Sequence, residues 1–263
     1  MSELFPNNRK ISAPAMNILK KRYFDIGETS WEDVANRVVN FVLKEDNDNK
    51  EITRDMILGR YFVPNSPCLA NSGKRHNGLL ACFVVDFPDN IEGIYKTKLD
   101  FALIARKGGG CGTSLEKIRP EGSNVAGSTH GHAGGGVKFA DTISHDMDAI
   151  TQSGFRSMAI MFTQSAKHPD ILKFVSAKSE EGRISNANMS VMVDNEFMQA
   201  AEDNQSYFTE FEGKQYQEYN AGDIFNLIIE GMWRNGEPSL LFRDRINDSP
   251  YRMTGQEIFS TNP

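Results

Sequence analysis

The sequence lacks several features that would place it in a specialised class of protein. No run of apolar residues approaches the roughly 18 needed for a membrane-spanning helix, and the N-terminal MSELFPNNRK has no apolar signal core. Only three of the 263 residues are cysteine, an odd number without a C-x-x-C pair. This excludes a secreted disulfide framework and a tetrahedral zinc finger. These absences predict a soluble, cytoplasmic protein whose thiols stay reduced.

An excess of basic charge is also absent. The 29 lysines and arginines are outnumbered by 35 aspartates and glutamates, which gives a net charge of -6. Proteins that coat nucleic acids depend on basic surface, so we expect no nucleic-acid partner and no membrane partner. What is present is ordinary globular composition, with 39% hydrophobic and 24% charged residues. The length suits one large domain or two modest ones.

The first part of the chain has the pattern of helices. Thr29 followed by Glu32 predicts a capping box, and apolar residues at helical spacing come directly after it. A polar stretch, residues 45–50, separates this helix from a second one predicted to start near Thr53. We therefore predict a helical N-terminal lobe over residues 1–60.

From residue 61 onward strands and helices alternate, which predicts an α/β sheet or barrel. The apolar run Leu79–Phe87 has the length and β-branched content of a buried strand. The other predicted strands are Thr113–Ile118, Ala159–Thr163, Ser185–Asp194 and Ser239–Phe242, with a hairpin at Tyr207–Tyr219. The predicted helices are Ile91–Arg106, Val137–Ile150, His168–Lys178, Asn195–Asp203 and Ile224–Arg234.

Two glycine-rich stretches, Gly108–Gly112 and Gly122–Gly136, flank Arg119. A Rossmann phosphate loop needs a strand before its glycines and a helix after them, and a P-loop ends in Gly-Lys-Ser/Thr. The first stretch has the opposite order of elements and no such ending. A helix cap with tight backbone packing is favoured, and a nucleotide-contacting loop is the alternative.

Histidines and cysteines do not select a reaction by themselves. His130 and His132 would share a face of a strand, but no third ligand is near in sequence, so we predict no metal site. Cys82 lies inside an apolar run, where a buried inert thiol is the ordinary interpretation. Cys68 and Cys111 fall in predicted loops beside small residues. Spacing alone identifies none of the three as catalytic.

Eight segments together resemble the large catalytic chain of ribonucleotide reductase, most closely the adenosylcobalamin-dependent class II enzymes. They occur in the family's order and spacing over nearly the whole chain from residue 20. The segments are Pro64–Gly73, Leu79–Tyr95, Lys107–Gly112, Ile118–Gly127, His168–Lys178, Asn186–Met198, Gly236–Asn247 and Ser260–Pro263.

The resemblance implies an α/β fold that is the first half of a ten-stranded barrel, with the helical lobe (1–60) before it. Residues 61–263 would be the incomplete barrel. The family's catalytic loop reads Asn-Pro-Cys-Gly-Glu, whereas this sequence stops after Asn262 and Pro263. We therefore expect an N-terminal portion that is inactive without a C-terminal fragment, arising from a split gene, an intein or a fragment.

The resemblance also assigns catalytic and substrate-binding residues. Cys82 matches the strand cysteine that reduces the substrate together with a partner cysteine further along. A dithiol suits this step because it delivers both electrons and becomes a disulfide. Asn262 would hydrogen-bond the ribose, Ser66 and Pro67 match the loop that binds the substrate phosphate, and Ala81 lies in the same pocket.

Asp89 and Arg119 match positions that contact the allosteric deoxynucleotide, and an arginine suits phosphate pairing. The loop that relays effector identity corresponds to residues 152–159. It departs from the family's Gly-Gly-x-Arg-Arg-Gly-Ala by serine or methionine at 153, 157 and 158. The expected specificity residues in this loop are Gln152, Gly154 and Arg156.

The implied cofactor is adenosylcobalamin, bound by the complete enzyme, and the implied effector is a deoxynucleotide or ATP. The expected partners are a nucleotide substrate, a thioredoxin-type or other dithiol, a second copy of the chain and the C-terminal fragment. One alternative is a class I large subunit, whose radical comes from a separate metal-bearing chain. Another is a non-catalytic deoxynucleotide-binding regulator.

Overall fold

The computed structural model describes residue 5 and residues 10–75, 78–125, 130–151, 159–179 and 182–263. The chain divides into two compact units. The first comprises Met1–Ala81 with Lys107–Gly109 and Gly154–Arg156, and the second comprises Cys82–Arg106, Gly110–Ser153 and Ser157–Pro263. The division into domains at residue 60 stays a prediction.

The first unit is helical, as expected. Its core is formed by one face of the second helix, with Trp31, Val34 and Val38 buried, together with Ile57 and Leu69. The Trp31 indole nitrogen donates to the Ile57 carbonyl at 3.0 Å and joins two helices. The helices are α1 (Ala13–Arg22), α2 (Trp31–Val42), α3 (Asn47–Gly59) and α4 (Ser66–Asn71).

The predicted capping box is displaced by one residue. Ser30 is the N-cap of α2, and its hydroxyl accepts from the Asp33 amide at 3.2 Å while the Asp33 carboxylate accepts from the Ser30 amide at 2.9 Å. The prediction of Thr29 with Glu32 is wrong because Glu32 instead pairs with Arg54 at 2.6 Å. Both pairs have the same spacing, and only the three-dimensional contact distinguishes them.

Helix α3 begins earlier than the sequence pattern indicates. Its first residue is Asn47, inside the polar stretch 45–50 and well before Thr53. The Asp46 carboxylate accepts from the Asn49 amide at 3.2 Å and caps the helix. A polar run can therefore form the first turn of a helix when one of its residues is a good N-cap.

The second unit is built on a five-stranded parallel sheet in the order β1-β2-β3-β4-β7, with a separate antiparallel hairpin β5–β6. This arrangement confirms the predicted α/β class. The strands are β1 (Cys82–Val84), β2 (Gly110–Ser114), β3 (Ile160–Ser165), β4 (Ala187–Val193), β5 (Ser206–Phe211), β6 (Lys214–Asn220) and β7 (Ser239–Phe242). The helices are α5 (Ile91–Arg106), α6 (Gly136–Thr151), α7 (Ile171–Ser176), α8 (Asn195–Glu202), α9 (Ala221–Asn235) and α10 (Arg243–Asn247), followed by a 3₁₀ turn (Pro250–Thr254).

The two faces of this sheet differ in chemistry. Side chains alternate along a strand, and paired residues of neighbouring strands share a face. One face packs into the apolar core through Phe83, Cys111, Ile160, Phe162, Met189 and Val191. The register places mainly small or polar residues on the other face, which we call the polar face: Cys82, Gly110, Gly112, Ser114, Thr163, Ser165, Asn188, Ser190 and Ser239, together with the apolar Val84, Met161, Met192 and Leu241.

Several local predictions for this unit are wrong. The run Leu79–Phe87 forms only the three-residue strand β1, which pairs on one side and is largely exposed, because it lies at an edge of the sheet. The strand predicted at Thr113–Ile118 instead starts at Gly110 and ends at Ser114, so Cys111 lies in a fully buried strand rather than in a loop. Within the described ranges no helix is both long and apolar enough to cross a membrane.

Candidate active site and effector cavity

A segment near the end of the chain crosses the polar face of the sheet. We call residues 256–262 the crossing segment. A Cβ added at Gly112 would overlap the Thr261 carbonyl oxygen and lie 3.0 Å from the Asn262 Cα. On the next strand the Thr163 hydroxyl donates to the Ser260 hydroxyl at 3.0 Å, and both residues are buried. The segment therefore runs directly over β2 and β3.

The end of the crossing segment leaves one polar atom without a partner. The side-chain nitrogen of Asn262 is buried and has no hydrogen-bond partner among the residues that the structure describes. Leaving a buried donor unsatisfied costs free energy. This amide nitrogen is therefore suited to donate a hydrogen bond to a ligand oxygen.

Cys82 lies on the same face as this segment. It pairs with Gly110 across β1 and β2, and Gly110 shares its face with Gly112, over which Thr261 passes. The thiol is exposed, so the interpretation of Cys82 as a buried inert residue is wrong. The structure thus brings both sequence-predicted catalytic residues, Cys82 and Asn262, to one face of one sheet.

The other two cysteines have different surroundings. Cys111 is fully buried, and burial, aided by the negative charge of Asp100, raises the pKa of its thiol to about 12. Since the thiolate is the reactive form, Cys111 is inert near neutral pH. Cys68 lies on helix α4 rather than in a loop, half-buried, with its sulfur 3.6 Å from the Ser72 hydroxyl.

The predicted substrate-phosphate residues belong to the first unit. Ser66 is the exposed first residue of α4, and its hydroxyl lies 3.1 Å from the Tyr23 hydroxyl. Pro67 follows it and is buried, while the Asn65 side chain caps the helix by accepting from the Cys68 amide at 2.9 Å. Ala81 is the last residue of the continuous part of this unit.

The predicted effector residues meet in a cavity of about 430 Å³ in the second unit. The Arg119 Nε donates to the Asp89 carboxylate at 2.6 Å, although 30 residues separate them. Among the residues that the structure describes, the two Nη atoms make only longer contacts of 3.3 Å, to backbone carbonyls. The cavity is otherwise mainly apolar, and its lining includes Ile91, Ile94, Ile118, Val125, His132, Gly134, Gly135 and Phe139.

An apolar cavity beside a carboxylate–guanidinium pair suits a ligand with a planar ring at one end and anionic groups at the other. The second glycine-rich stretch supplies one wall, where Gly135 has φ +77° and a Cβ would come within 2.9 Å of the Asp170 carboxylate. His132, considered above for metal binding, lines this wall. Among the described residues no group of three or more His, Cys, Asp or Glu side chains converges on a metal site.

The loop that carries Arg119 is held by charged residues that sequence patterns did not identify. The Glu121 amide donates to the Asp170 carboxylate at 2.9 Å. The Glu121 carboxylate pairs with Lys138 at 2.7 Å and Lys173 at 2.8 Å. Hydrogen bonds from these two lysines lower the pKa of Glu121 to about 2. The carboxylate therefore stays ionised at neutral pH.

His168 also stabilises the loop that carries Arg119. Its Nδ1 accepts from the Asp170 amide at 3.0 Å, so its Nε2 donates to the Ile118 carbonyl at 2.9 Å. Burial lowers the pKa of His168 and favours this neutral form. The prediction of a helix opening at His168 is wrong, because α7 begins at Ile171. The specificity residues Gln152, Gly154 and Arg156 lie outside the described residues.

Comparison with known proteins places these features in a family. Residues 9–77 match the family model "Ribonucleotide reductase, all-alpha domain", and residues 80–263 match "Ribonucleotide reductase, barrel domain". A solved structure, the Actinobacillus ureae class Id ribonucleotide reductase alpha subunit, shares the fold with a TM-score of 0.76 at 18% identity. The match covers 94% of this chain and 44% of that one.

Two curated relatives carry the name vitamin B12-dependent ribonucleoside-diphosphate reductase. The one from Thermoplasma acidophilum is 39% identical over 207 residues, which cover 77% of this chain and 27% of the relative. The one from Mycobacterium tuberculosis is 35% identical over 270 residues, covering 97% of this chain and 39% of the relative. This chain therefore spans well under half the length of these relatives. It belongs to the ribonucleotide reductase large-chain family.

Proposed function

We propose that this chain forms part of an adenosylcobalamin-dependent ribonucleotide reductase, which converts ribonucleotides to deoxyribonucleotides for DNA synthesis. The observation that carries the proposal is the shared position of Cys82 and Asn262 on the polar face. The names of the two B12-dependent relatives support the class II assignment. Cytoplasmic location remains a prediction from the reduced cysteines.

The chemistry requires two thiols and a positioned ribose. Replacing the 2'-hydroxyl by hydrogen releases water, while two thiols lose their hydrogens and form a disulfide. Cys82 supplies one thiol from its exposed position, and the second comes from a cysteine outside this chain. The unpartnered Asn262 side-chain nitrogen donates to a ribose oxygen. A thioredoxin-type or other dithiol then restores the cysteines.

The Cys82 thiol and the Asn262 amide fit the substrate side of such a site. When bound, adenosylcobalamin supplies the radical chemistry, and the protein positions and shields the reactants. We assign no described residue to the corrin ring. Ser66 and Pro67 are the residues proposed for the substrate phosphate, and Ala81 for the pocket wall.

Joining this chain to the remaining part of the Thermoplasma acidophilum large chain tests the proposal. We expect deoxynucleotide formation that depends on added adenosylcobalamin and a dithiol. The 263-residue chain alone should give no product, because no residue in it matches the cysteine or the glutamate of the family's Asn-Pro-Cys-Gly-Glu loop. Turnover by the chain alone would contradict the assignment of catalytic residues.

The same assay separates the two alternatives. A class I large subunit would form product only with a metal-bearing radical chain and would not respond to cobalamin. A non-catalytic regulator would bind a deoxynucleotide in the Arg119 cavity and stay inactive after joining. Either result would replace the class II proposal.

The proposed homodimer has a specific surface on α5. Ile91, Tyr95, Leu99 and Leu103 follow each other at four-residue spacing and are between 42% and 59% exposed. The opposite face of the helix is buried in the core through Ile94 and Phe101, among others. Ile91 also lines the effector cavity, so a second copy packed along this stripe would lie next to the bound effector.

A charge in the middle of this stripe should prevent dimerisation. Leu99→Glu should shift the chain from dimer to monomer, because a buried unpaired carboxylate is costly at an interface. Sedimentation equilibrium measures the change. Leu80→Glu is the matched control, since Leu80 is 62% exposed and lies outside α5. A Leu99 variant that remains dimeric would exclude this surface.

A further inference from the structure

The crossing segment is fastened at its start by two side chains of α10. The Asn247 amide nitrogen donates to the Ile258 carbonyl at 3.2 Å, and its oxygen accepts from the Ile258 amide at 2.8 Å. Arg243 donates twice to the Glu116 carboxylate, at 3.1 Å each, and its Nε donates to Glu257 at 2.6 Å. Helix α10 therefore acts as a bracket that holds residues 257 and 258.

The far end of the segment is fastened by the sheet itself. Gly112 has no side chain, and the Thr261 carbonyl occupies the space that a Cβ would need. The clash would involve backbone atoms, so no side-chain rotation could relieve it. Because β2 pairs with β1 on one side and β3 on the other, the segment is the part that would have to move.

Thr163 adds a directional hydrogen bond to Ser260, which lies two residues before Asn262. Its hydroxyl donates to the Ser260 hydroxyl, and Ser260 is only 3% exposed. The pair is fully surrounded, so a lost partner is not replaced by water. Thr163 thus fixes where the crossing segment lies along the strand, and Gly112 fixes its distance from the sheet.

We propose that Gly112, Thr163, Arg243 and Asn247 are positioning residues that hold the crossing segment on the polar face and so set where the Asn262 amide lies. None of the four is assigned contact with substrate. The importance of these four residues for catalysis rests on the function proposed above for Asn262. The docking of the crossing segment on the polar face does not depend on that function.

Limited proteolysis of the 263-residue chain without nucleotide tests the docking. Chymotrypsin cleavage after the half-buried Phe259 reports the open population of the segment. Cleavage after the exposed Tyr251 gives the internal reference. Gly112→Ala should raise the ratio of the two initial rates by about tenfold or more, the scale of an overpacked contact. Thr163→Val should raise it about five- to tenfold, as expected for one buried hydrogen bond.

Two further variants separate positioning from general destabilisation. Thr163→Ser keeps the hydroxyl and should restore the wild-type ratio. Ser190→Ala removes a hydroxyl from the residue paired with Thr163 on the same face, where it contacts Ser239 rather than the segment. It should leave the ratio unchanged. If Gly112→Ala does not fold, the Thr163 pair of variants decides the question.

An unchanged ratio in folded Gly112→Ala, or in Thr163→Val, would overturn the proposal. In the joined enzyme, Thr163→Val should lower kcat about ten- to hundredfold, the effect of a small misplacement, and Thr163→Ser should restore it. Effector affinity should not change. If the wild-type chain does not bind nucleotide, this would count against the proposed function, but the proteolysis result on the docking of the segment would still stand.

Discussion

Replacing Cys82 with serine should abolish deoxynucleotide formation in the joined large chain, by about three orders of magnitude or more, the scale seen when a reacting group is removed. A serine hydroxyl cannot form the disulfide that accompanies reduction of the ribose. Product formed per active site, with a dithiol reductant, is the measurement. Deoxynucleotide binding should be unaffected, because Cys82 does not line the effector cavity.

The other two cysteines provide the controls. Cys68→Ser should keep most of the activity. Cys111→Ser should also turn over, with a lower melting temperature because it places a hydroxyl at a fully buried position. Near-normal turnover in Cys82→Ser, or a folded but inactive Cys68→Ser, would show that the wrong thiol has been assigned.

Alkylation of the isolated chain gives an independent measurement of the same distinction. The exposed thiol of Cys82 should react under native conditions. Cys111 should react only after unfolding, since it is buried and its thiol has a pKa of about 12. Peptide mass spectrometry before and after denaturation separates the two sites.

Arg119→Ala should weaken deoxynucleotide binding by about 1.5–3 kcal/mol, or about 10- to 150-fold. The Asp89 carboxylate holds the guanidinium through Nε, while the two Nη atoms contact the described part of the chain only at 3.3 Å and can turn to an anionic ligand. Removing the side chain removes both the charge and its orientation. Titration calorimetry with a deoxynucleoside triphosphate measures the difference.

Lys117→Ala is the matched control for this experiment. Lys117 carries the same charge two residues earlier, but it pairs with Asp86 at 2.8 Å and does not line the effector cavity. Its removal should change the affinity by less than about twofold, as for a solvent-exposed ion pair. Equal affinity in the wild type and in Arg119→Ala would remove Arg119 from the binding site.

Much of the second unit could be predicted from local patterns. Helix α5 was predicted with its observed bounds, Ile91–Arg106, and β7 with Ser239–Phe242, because period and breaker residues are local properties. The hairpin predicted at Tyr207–Tyr219 is present as the antiparallel pair β5–β6 for the same reason. The capping box of α2 was missed by one residue because two pairs of equal spacing competed.

The sequence by itself determined the family and the alternation of strands and helices, and its resemblance to the family predicted Asp89 and Arg119 as effector-contacting residues; that the two side chains pair is a finding of the structure. The sequence motifs specify these features, since family membership and the alternation of elements depend on residue type and order. Only the tertiary structure decided that the Gly-Cys-Gly run is a strand: glycine is disfavoured in strands, but Gly112 is needed where the Thr261 backbone passes. Likewise, Cys82 is exposed although its neighbours are apolar, because β1 is an edge strand. Burial and close backbone contacts depend on residues that are distant in sequence, so local periodicity cannot predict them.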